Sequence, residues 1–526
     1  MNLRVRATNN QALIGAGLLL FALLAGWQIA GIIAANDMRK LFFVAIAIAG
    51  CAAAIAILNN WRRGFYLFFV WMIFEDLVRK YTGNNLFLFF GKDILLALIY
   101  VSFFAAVRRK REKVFRPPFV LFLSMFFWLG VIQIFNQNSP SILYGLLGIK
   151  MYFYYAPLMF IGYSLVRNDE QLKKFLVLNA VLAIVVSSIG IIQSVVGNSF
   201  LNPTNLAPDL QELGNLQKVT ASGQAFNLPD SVFVSTGRYA AYLAVAFSVT
   251  MGAAGFLLLY RKKNRKLMFI ALGLIGVAAL MSGSRGTFVT ILMTAGLLSV
   301  GFIWGAPWRS RRANQMLKAI RRTVFAVAAA LVLMIFLFPK QAGARLEFYT
   351  DTLSPNSSDY QLGFRSWDYP LQNLLKAFDD PNWIWGNGIG TAALGTQYVQ
   401  KIVGKAGLPA WVEEGFGTMI VEMGILAPFL WIFWSASLLY FAWKVARELR
   451  QTRFFPIALS ITWYCFVLLF LWTWGGLDSY ENYTCNIFLW LLVGVLFALP
   501  DIARKSEPAI DINETPRRDQ LVYQQR

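Results

Sequence analysis

Long apolar runs separated by short polar segments dominate the chain. Runs of about 17 to 25 residues recur about fourteen times, and each is long enough for an α-helix to cross a bilayer. The pattern therefore predicts an all-α polytopic transmembrane protein with about 12 to 14 spans. The predicted spans cover residues 13–35, 41–58, 64–78, 93–107, 117–135, 150–166, 175–197, 239–260, 267–282, 287–305, 323–339, 415–441, 455–473 and 485–500.

The basic residues of the sequence are concentrated in alternate loops. Because Lys and Arg near a span resist translocation, these loops and both termini are predicted to be cytoplasmic. The net charge of +21 is then a consequence of topology, and nucleic acid is not an expected partner. The basic segments are the N-terminus, 62–63, 108–116, 167–174, 261–266, 307–322, 443–454 and the C-terminal tail.

Two long loops, 198–237 and 340–414, are predicted on the opposite, outward face. The second loop is rich in aromatic residues, and its segment 366–378 (SWDYPLQNLLKAF) predicts an amphipathic helix on the membrane surface. Residues 1–500 are interpreted as a single membrane domain. The proline-containing, mixed-charge tail 501–526 is predicted to be a disordered cytoplasmic segment.

Composition supports a bilayer protein and narrows its chemistry. The chain is 57% hydrophobic and only 14% charged. It contains no histidine, which excludes imidazole catalysis and removes the commonest metal ligand. Its three cysteines show no CxxC spacing, so neither a zinc site nor a disulfide framework is indicated. We expect no metal and no cofactor, and we expect carboxylates to act as the general acid or base.

Four basic residues on the outward side are candidates for binding an anion. Arg285 lies in a Ser/Gly turn (MSGSRGTF), Arg238 begins the span after the first loop, and Arg365 precedes the predicted surface helix. An arginine near a span end often only snorkels to the interface, but glycines beside Arg285 favour ligand approach. Three converging arginines would suit a pyrophosphate, since guanidinium binds phosphate oxygens in a bidentate fork. Lys150 is a further candidate, although a lysine beside tyrosines also suits an interface anchor.

Carboxylates cluster where the second loop returns to the membrane. Glu413 and Glu414 are adjacent, and Glu422 lies about two and a half turns further on. At a low-dielectric boundary adjacent carboxylates raise each other's pKa, which suits a general base. The alternative is a solvated helix N-terminus, where the helix dipole favours acidic residues. Sequence position alone leaves both interpretations open.

The motif GNGIG at 386–390 is predicted to be a turn. A phosphate-binding glycine loop would need a surrounding βαβ unit, which the pattern does not provide.

The order of these motifs resembles the O-antigen ligase and Wzy-type polymerase superfamily of bacterial envelope glycosyltransferases. The similarity covers about residues 230 to 440 and rests on Arg238, SGSRG, FRSWDYPLQNLL, GNGIG and VEEGFGTMIVEMGIL. It implies a GT-C-like helical fold in the bacterial inner membrane. It also implies an undecaprenyl-pyrophosphate-linked oligosaccharide as donor, used at the periplasmic face without metal. Ligases of the superfamily carry a His-Asn pair where Glu413 and Glu414 stand, and this difference favours a polymerase.

We therefore expect an inverting polysaccharide polymerase that joins lipid-linked repeat units. Arg238, Arg285, Arg365 and Lys150 would bind the pyrophosphate, with Arg285 also stabilising charge during the reaction. Glu413, or Glu414, would act on the acceptor hydroxyl. Sugar rings would stack on tryptophans of the second outward loop, for which the candidates are Trp367, Trp383 and Trp411.

Two other functions remain open at this point. A ligase of the same chemistry would transfer finished glycan to a lipid or protein acceptor. A flippase or transporter would also have many spans with charges inside them, but no inverted repeat is visible in the sequence. For the polymerase, the expected partners are the lipid bilayer and, in the same pathway, a chain-length regulator and a flippase.

Overall fold

The chain is mostly helical, and its helices follow the apolar runs of the sequence. The computed structural model describes residues 38–83, 86–109, 112, 114–203, 217–220, 222–260, 265–305, 321, 329, 332–333, 335–353, 363–408 and 412–506. Within these ranges the side chains of 38–43, 46–47, 86–87, 260, 352–353, 365 and 506 are not described.

The described helices are α1 (Met38–Asn59), α2 (Trp61–Tyr81), α3 (Leu86–Phe89), α4 (Gly91–Arg108), α5 (Val120–Gln133), α6 (Ile142–Phe153), α7 (Leu158–Leu165), α8 (Asp169–Val196), α9 (Thr236–Tyr260), α10 (Arg265–Met281), α11 (Arg285–Gly305), α12 (Pro339–Leu353), α13 (Tyr369–Lys376), α14 (Thr396–Val403), α15 (Gly415–Met423), α16 (Leu426–Glu448), α17 (Phe455–Phe466), α18 (Trp472–Gly475) and α19 (Tyr483–Ser506). A π-helical turn (Phe364–Asp368) precedes α13, a 3₁₀ turn (Ala377–Asp379) follows it, and a π-helical turn (Val467–Leu471) joins α17 to α18. Strands β1 (Gln217–Val219) and β2 (Ala225–Asn227) form an antiparallel hairpin.

Six helices in the described part of the chain are long and apolar enough to cross a membrane, by length and composition. The prediction of a polytopic helical membrane protein is confirmed at this level. Of the other predicted spans, 13–35 and most of 323–339 lie outside the described residues. The six helices are Asp169–Val196, Thr236–Leu259, Arg285–Gly305, Leu426–Glu448, Phe455–Gly475 and Tyr483–Lys505.

The structure corrects the sequence prediction at three places. The predicted span 415–441 is two helices, because the chain turns at Gly424, whose φ is 81°. The predicted span 150–166 is likewise divided between α6 and α7, with Pro157 at the start of α7. The hairpin of β1 and β2 is a small departure from an all-α fold. Its pairing joins Lys218 to Phe226 in register.

The chain divides into two compact units, and the first consists of Met1–Phe69 with Gly91–Arg108. Its described core is aromatic: the Trp61 ring meets Phe103 edge-on at 5.1 Å between centroids. The Ser102 hydroxyl donates to the Leu58 carbonyl at 3.4 Å. Apolar packing of this kind is expected for helices whose sequence is hydrophobic over most of their length.

The second unit consists of Val70–Phe90 with Arg109–Arg526. Its central helices are α9 and α19, which are buried over most of their length. Small residues allow backbones to approach closely: a Cβ on Gly162 of α7 would lie 2.2 Å from the Leu491 carbonyl oxygen of α19. A Cβ on Gly494 of α19 would likewise lie 2.1 Å from the Met159 carbonyl oxygen of α7. Such close approach is typical of helix pairs in membranes, where van der Waals packing is a main source of association.

Candidate active site

Arg238 lies in the first turn of α9 and pairs with a buried carboxylate. Its Nη1 lies 3.0 Å from Oδ2 of Asp76, a residue of α2. The Arg238 guanidinium also lies over the Tyr483 ring, 5.1 Å from its centroid. The Asp76 side chain is fully buried, whereas 23% of the Arg238 side chain is exposed. Arg238 is therefore fixed on one side and accessible on another.

A second arginine shares the same carboxylate. Arg79 Nη1 donates to Asp76 Oδ1 at 2.7 Å, one helical turn further along α2. Its Nη2 donates to the Tyr398 hydroxyl of α14 at 3.3 Å, which connects α2 to segment 340–414. Burying a carboxylate costs several kcal/mol unless cations offset the lost hydration. Asp76 thus holds Arg79 and Arg238 together.

Lys150 joins these arginines through an aromatic side chain. Its Nζ lies 4.7 Å from the centroid of the Phe89 ring, and the Arg79 guanidinium lies 4.8 Å from the same centroid. Cations favour the electron-rich faces of aromatic rings. We call Arg79, Lys150 and Arg238 with Asp76 the cation cluster. The cluster contains Lys150 and Arg238, which the sequence predicted to bind pyrophosphate. It also contains Arg79 and Asp76, which the sequence did not single out.

Acidic residues near the cation cluster partly neutralise it. Glu75 lies within electrostatic range of Arg238. Burial raises the pKa of Asp478, and a hydrogen bond from Asn482 and the charge of Arg238 oppose that shift. These acidic residues reduce the net positive charge around Arg238, whose side chain is the partly exposed one of its ion pair with Asp76.

Lys80, the next residue of α2, forms a buried ion pair that positions Arg238. Its Nζ lies 2.9 Å from Oδ2 of Asp230, and both side chains are almost completely buried. The Gln193 side chain of α8 donates to Oδ1 of Asp230 at 2.7 Å. Removing one partner of such a pair leaves an uncompensated charge and costs about 3–5 kcal/mol. The pair fixes segment 228–235, which leads directly into the first turn of α9 and so to Arg238.

Arg285 begins α11 and has different neighbours. Its guanidinium lies over the Phe348 ring of α12, 3.9 Å from the centroid. The predicted convergence of Arg238, Arg285 and Arg365 on one cavity stays a prediction. The described contacts place Arg238 and Arg285 in separate groups, and the Arg365 side chain lies outside the described residues.

The three tryptophans predicted to stack on sugars have different surroundings. Trp367 is 63% exposed, and its ring lies 5.4 Å from that of Trp474. Trp383 is partly buried and packs against the apolar cluster that includes Val412. Trp411 lies outside the described residues. Trp367 thus offers an exposed aromatic face, and Trp383 serves largely in packing.

Glu413 and Glu414 point into different environments. Glu413 is exposed, and one of its carboxylate oxygens accepts a hydrogen bond from the Tyr369 hydroxyl of α13. Glu414 is buried and is the N-cap of α15, accepting from the backbone N–H groups of Phe416 and Gly417. Burial raises the pKa of Glu414 to about 8, while those two hydrogen bonds lower it. Burial, and not the predicted repulsion from Glu413, therefore dominates this shift.

Of the two interpretations left open by the sequence, the helix-terminus interpretation describes Glu414, although this residue is buried and not solvated. Glu413 remains the accessible carboxylate of the pair.

Glu422 is fully buried and holds the GNGIG turn against α15. Its Oε1 accepts from the Ala392 N–H at 3.1 Å, and its Oε2 accepts from the Tyr152 hydroxyl at 3.1 Å. Its carbonyl accepts from the Gly388 N–H at 2.9 Å. Gly388 has a φ of 102°, a backbone conformation that glycine adopts without steric cost. The prediction that 386–390 is a turn is confirmed.

The described residues include two separate groups that displacement of a phosphate leaving group would need. The cation cluster offers a partly exposed guanidinium, and Glu413 offers an accessible carboxylate held by a hydroxyl. No family model matches the chain, and no curated protein and no solved structure matches it. A functional proposal therefore rests on this chain's own residues and on the order of its motifs.

Proposed function

We propose that this chain is a membrane glycosyltransferase that polymerises lipid-linked glycan repeat units. The observation that carries the proposal is the cation cluster, in which Asp76 pairs with Arg79 and Arg238 while Lys150 and Arg79 both contact the Phe89 ring. A diphosphate leaving group needs concentrated positive charge, and guanidinium groups match phosphate oxygens in geometry as well as charge. The donor would be an undecaprenyl-pyrophosphate-linked oligosaccharide, and the reaction would use these cations in place of a metal ion.

The proposed topology has 12 to 14 spans, cytoplasmic termini and outward loops at 198–237 and 340–414. It is supported by the six long apolar helices and by the alternation of basic segments along the chain. In a bacterial inner membrane the cation cluster would then face the periplasm. Lipid-linked glycans presented on that side would reach it laterally from the bilayer.

The proposed reaction is a single displacement at the anomeric carbon. The acceptor hydroxyl oxygen attacks that carbon while the bond to the pyrophosphate oxygen breaks, and the electron pair leaves with the lipid pyrophosphate. Arg238 stabilises the charge that develops on the leaving group, with Arg79 and Lys150 behind it. Glu413 takes the proton of the acceptor hydroxyl, and Tyr369 orients this carboxylate. A single displacement inverts the anomeric configuration.

Other predicted residues have supporting roles in this proposal. Arg285 and Arg365 would bind the pyrophosphate or the first sugar as the outward loops close on the substrate. Trp367, with its exposed ring, would stack on a sugar of the growing chain.

The proposal is tested with purified protein reconstituted with a defined undecaprenyl-pyrophosphate oligosaccharide. Product length is measured on gels for the native protein and for Arg238→Ala and Glu413→Gln. Loss of one transition-state charge partner or of the general base lowers such rates by about 10²-fold or more. Arg504→Ala, at the exposed end of α19, is the matched control and keeps full activity. Unchanged polymer length in well-folded Arg238→Ala and Glu413→Gln would overturn the residue assignments.

One observation favours a second candidate, a transporter of lipid-linked glycan. The pairs Asp76–Arg79 and Lys80–Asp230 are buried charges on and near α2, whereas the sequence suggested few charges deep inside spans. Intramembrane charge pairs often mark transport pathways. In the reconstituted assay a transporter moves the lipid-linked glycan between leaflets without lengthening it. A polymerase lengthens it with the donor supplied on one side only.

A further inference from the structure

A cavity of about 680 Å³, whose lining includes no residue of the cation cluster, lies where α8 ends, the hairpin forms and α12 begins. Ser194 and Gly197 line it from α8 and the following turn. Gln217 and Asn227 line it from the hairpin, and Gln341 lines it from α12. Cavities of about 300–1,000 Å³ are the usual size for small-molecule binding sites. No residue proposed to bind pyrophosphate or to act as the general base lines this cavity.

A buried arginine belongs to the lining of the cavity. Arg345 is 1% exposed, and its guanidinium donates to four backbone carbonyls, those of Ser194, Asn227, Met281 and Gln341. Two of these carbonyls lie near the carboxyl ends of α8 and α10, where helix dipoles favour a cation. No carboxylate pairs with Arg345 among the described residues. Burial lowers the pKa of Arg345 to about 10, which is still high enough to keep its charge at neutral pH.

A second cation and several amides complete the cavity wall. Lys340 lines the same cavity from the first turn of α12 and is exposed. Gln217, Gln224 and Gln341 add side-chain amides, each of which can both donate and accept hydrogen bonds. No Asp or Glu belongs to the lining that the structure describes. The cavity is thus cationic and rich in groups that complement hydroxyls.

The walls of the cavity are fixed to one another. The Glu347 carboxylate of α12 accepts from the backbone N–H and the hydroxyl of Ser222, at 3.0 and 2.9 Å, in the hairpin turn. The same helix and hairpin also meet through the Phe226 and Phe348 rings, which pack edge-on at 5.5 Å between centroids. Hairpin and helix therefore hold the cavity open as one preformed site. A preformed site lowers the entropic cost of binding.

We infer that this cavity binds an acidic saccharide, a sugar unit bearing a carboxylate or another anionic substituent. The amides of Gln217, Gln224 and Gln341 pair with sugar hydroxyls, and Lys340 and Arg345 attract the anionic group. This inference rests on the proposed function, because that function is the reason to expect a glycan as the ligand. The cavity adds that the glycan is acidic. It places a glycan-binding subsite next to the hairpin of the first outward loop.

Binding is tested with the purified full-length protein in lipid nanodiscs, without turnover. The probes are an oligo-uronate of six residues and a neutral glucan of the same length, titrated by isothermal calorimetry. We expect the uronate to bind at least five-fold more tightly than the neutral glucan. Lys340→Ala weakens uronate binding about two- to five-fold, the range expected for one exposed ion pair, and leaves neutral-glucan binding unchanged.

Two further variants separate recognition from folding. Gln217→Ala with Gln224→Ala removes exposed amides and weakens the binding of both probes, while the thermal transition of the protein stays in place. Lys376→Ala, an exposed lysine at the end of α13, is the matched control and changes neither affinity. Equal affinity for the two probes, binding of neither, or uronate binding that is indifferent to Lys340→Ala would each overturn the inference.

The outcome is distinguishable from that of the polymerase test. Glu413→Gln, which removes the proposed base, keeps full uronate affinity because it lies outside the cavity lining. Polymer formation without uronate binding would leave the polymerase proposal intact and remove this subsite. Uronate binding that is lost in Lys340→Ala, in a protein that forms no polymer, would support the subsite while removing the polymerase proposal.

Discussion

Glu413 and Glu414 are neighbours in the chain but lie in different environments. Glu413 is open to solvent, with Tyr369 donating to it. Glu414 is enclosed at the start of α15, and its pKa of about 8 means that it is largely protonated at neutral pH. The carboxylate oxygens of Glu414 are buried and already accept the Phe416 and Gly417 N–H groups, so Glu413 is the better candidate for accepting the proton of the acceptor hydroxyl. Glu414 instead holds the helix that carries Glu422.

Replacing Glu414 with Gln is expected to flatten the pH dependence of stability. The folded-state pKa is raised from about 4.5 to about 8, so between these values the folded protein binds more protons than the unfolded chain. Stability contributed by this group is therefore present at low pH and falls as pH rises toward 8. The slope approaches at most about 1.4 kcal/mol per pH unit.

The measurement is the thermal transition of the detergent-solubilised protein at pH 5, 6.5 and 8. We expect the native protein to lose more thermal stability than Glu414→Gln across this series, because the other titrating groups are common to both. Glu413→Gln is the control, since its side chain is exposed. Parallel pH profiles for the native protein and Glu414→Gln would show that Glu414 has no raised pKa.

Among the elements, the break between α15 and α16 matters most for the site. Gly424 has a φ of 81°, and a Cβ there would lie 2.3 Å from the Ile384 carbonyl oxygen. The break lets the chain before it carry Glu413 and Glu422 while α16 continues as a long apolar helix. Only glycine fits this conformation together with so close a backbone neighbour.

Gly424→Ala is therefore expected to destabilise the protein by about 1–3 kcal/mol, the cost of a strained backbone residue, with a further cost from the clash. Polymerase activity should fall with it, because Glu422 and the 386–390 turn shift. Gly363→Ala is the matched control: Gly363 has a φ of −63° and open space around its Cβ position. Equal thermal transitions for both variants would contradict this role of Gly424.

Hydropathy was enough to locate most helices but not their interruptions. Apolar runs predicted α8, α9, α11 and α19 nearly as observed, because each helix is continuous over its apolar run. The predicted span 455–473 includes α17, a π-helical turn and the start of α18. The break at Gly424 was missed, since a single glycine in an apolar run is compatible with an unbroken span.

The site was predictable only in part, because its groups come from distant segments. Arg238 and Lys150 were singled out from their positions at span ends, and the structure places both in one cluster. Asp76 and Arg79 were missed because they lie at the end of an apolar run. Their spacing along α2, with Asp76 three residues before Arg79, was a usable signal, since residues at that spacing share one helix face. The cavity around Arg345 gave no sequence signal, because its partners there are backbone carbonyls.

At the scale of the whole molecule, charge asymmetry makes a direct prediction about sidedness. A cysteine at Lys376, in the second loop that the charge pattern predicts to face outward, should react with a membrane-impermeant maleimide in cells whose outer membrane alone has been permeabilised. A cysteine at Arg450, in a basic loop, should react only after the inner membrane is opened. Both positions are exposed, so the difference reports topology and not burial.

The label requires a background in which the exposed native Cys51 is replaced by Ser. Labelling at Arg450 and protection at Lys376 in intact cells would reverse the proposed orientation. The cation cluster would then face the cytoplasm.

The contact between Gly148 of α6 and Gly390 of the GNGIG turn limits which substitutions these two positions can accept during evolution. A Cβ on Gly148 would lie 2.6 Å from the Gly390 nitrogen, and a Cβ on Gly390 would lie 2.5 Å from the Gly148 nitrogen. Neither position can accept a side chain while the other backbone stays where it is. Among descendants of a common ancestor, we therefore expect the two glycines to be kept together or lost together, with loss accompanied by a change in the length of the turn.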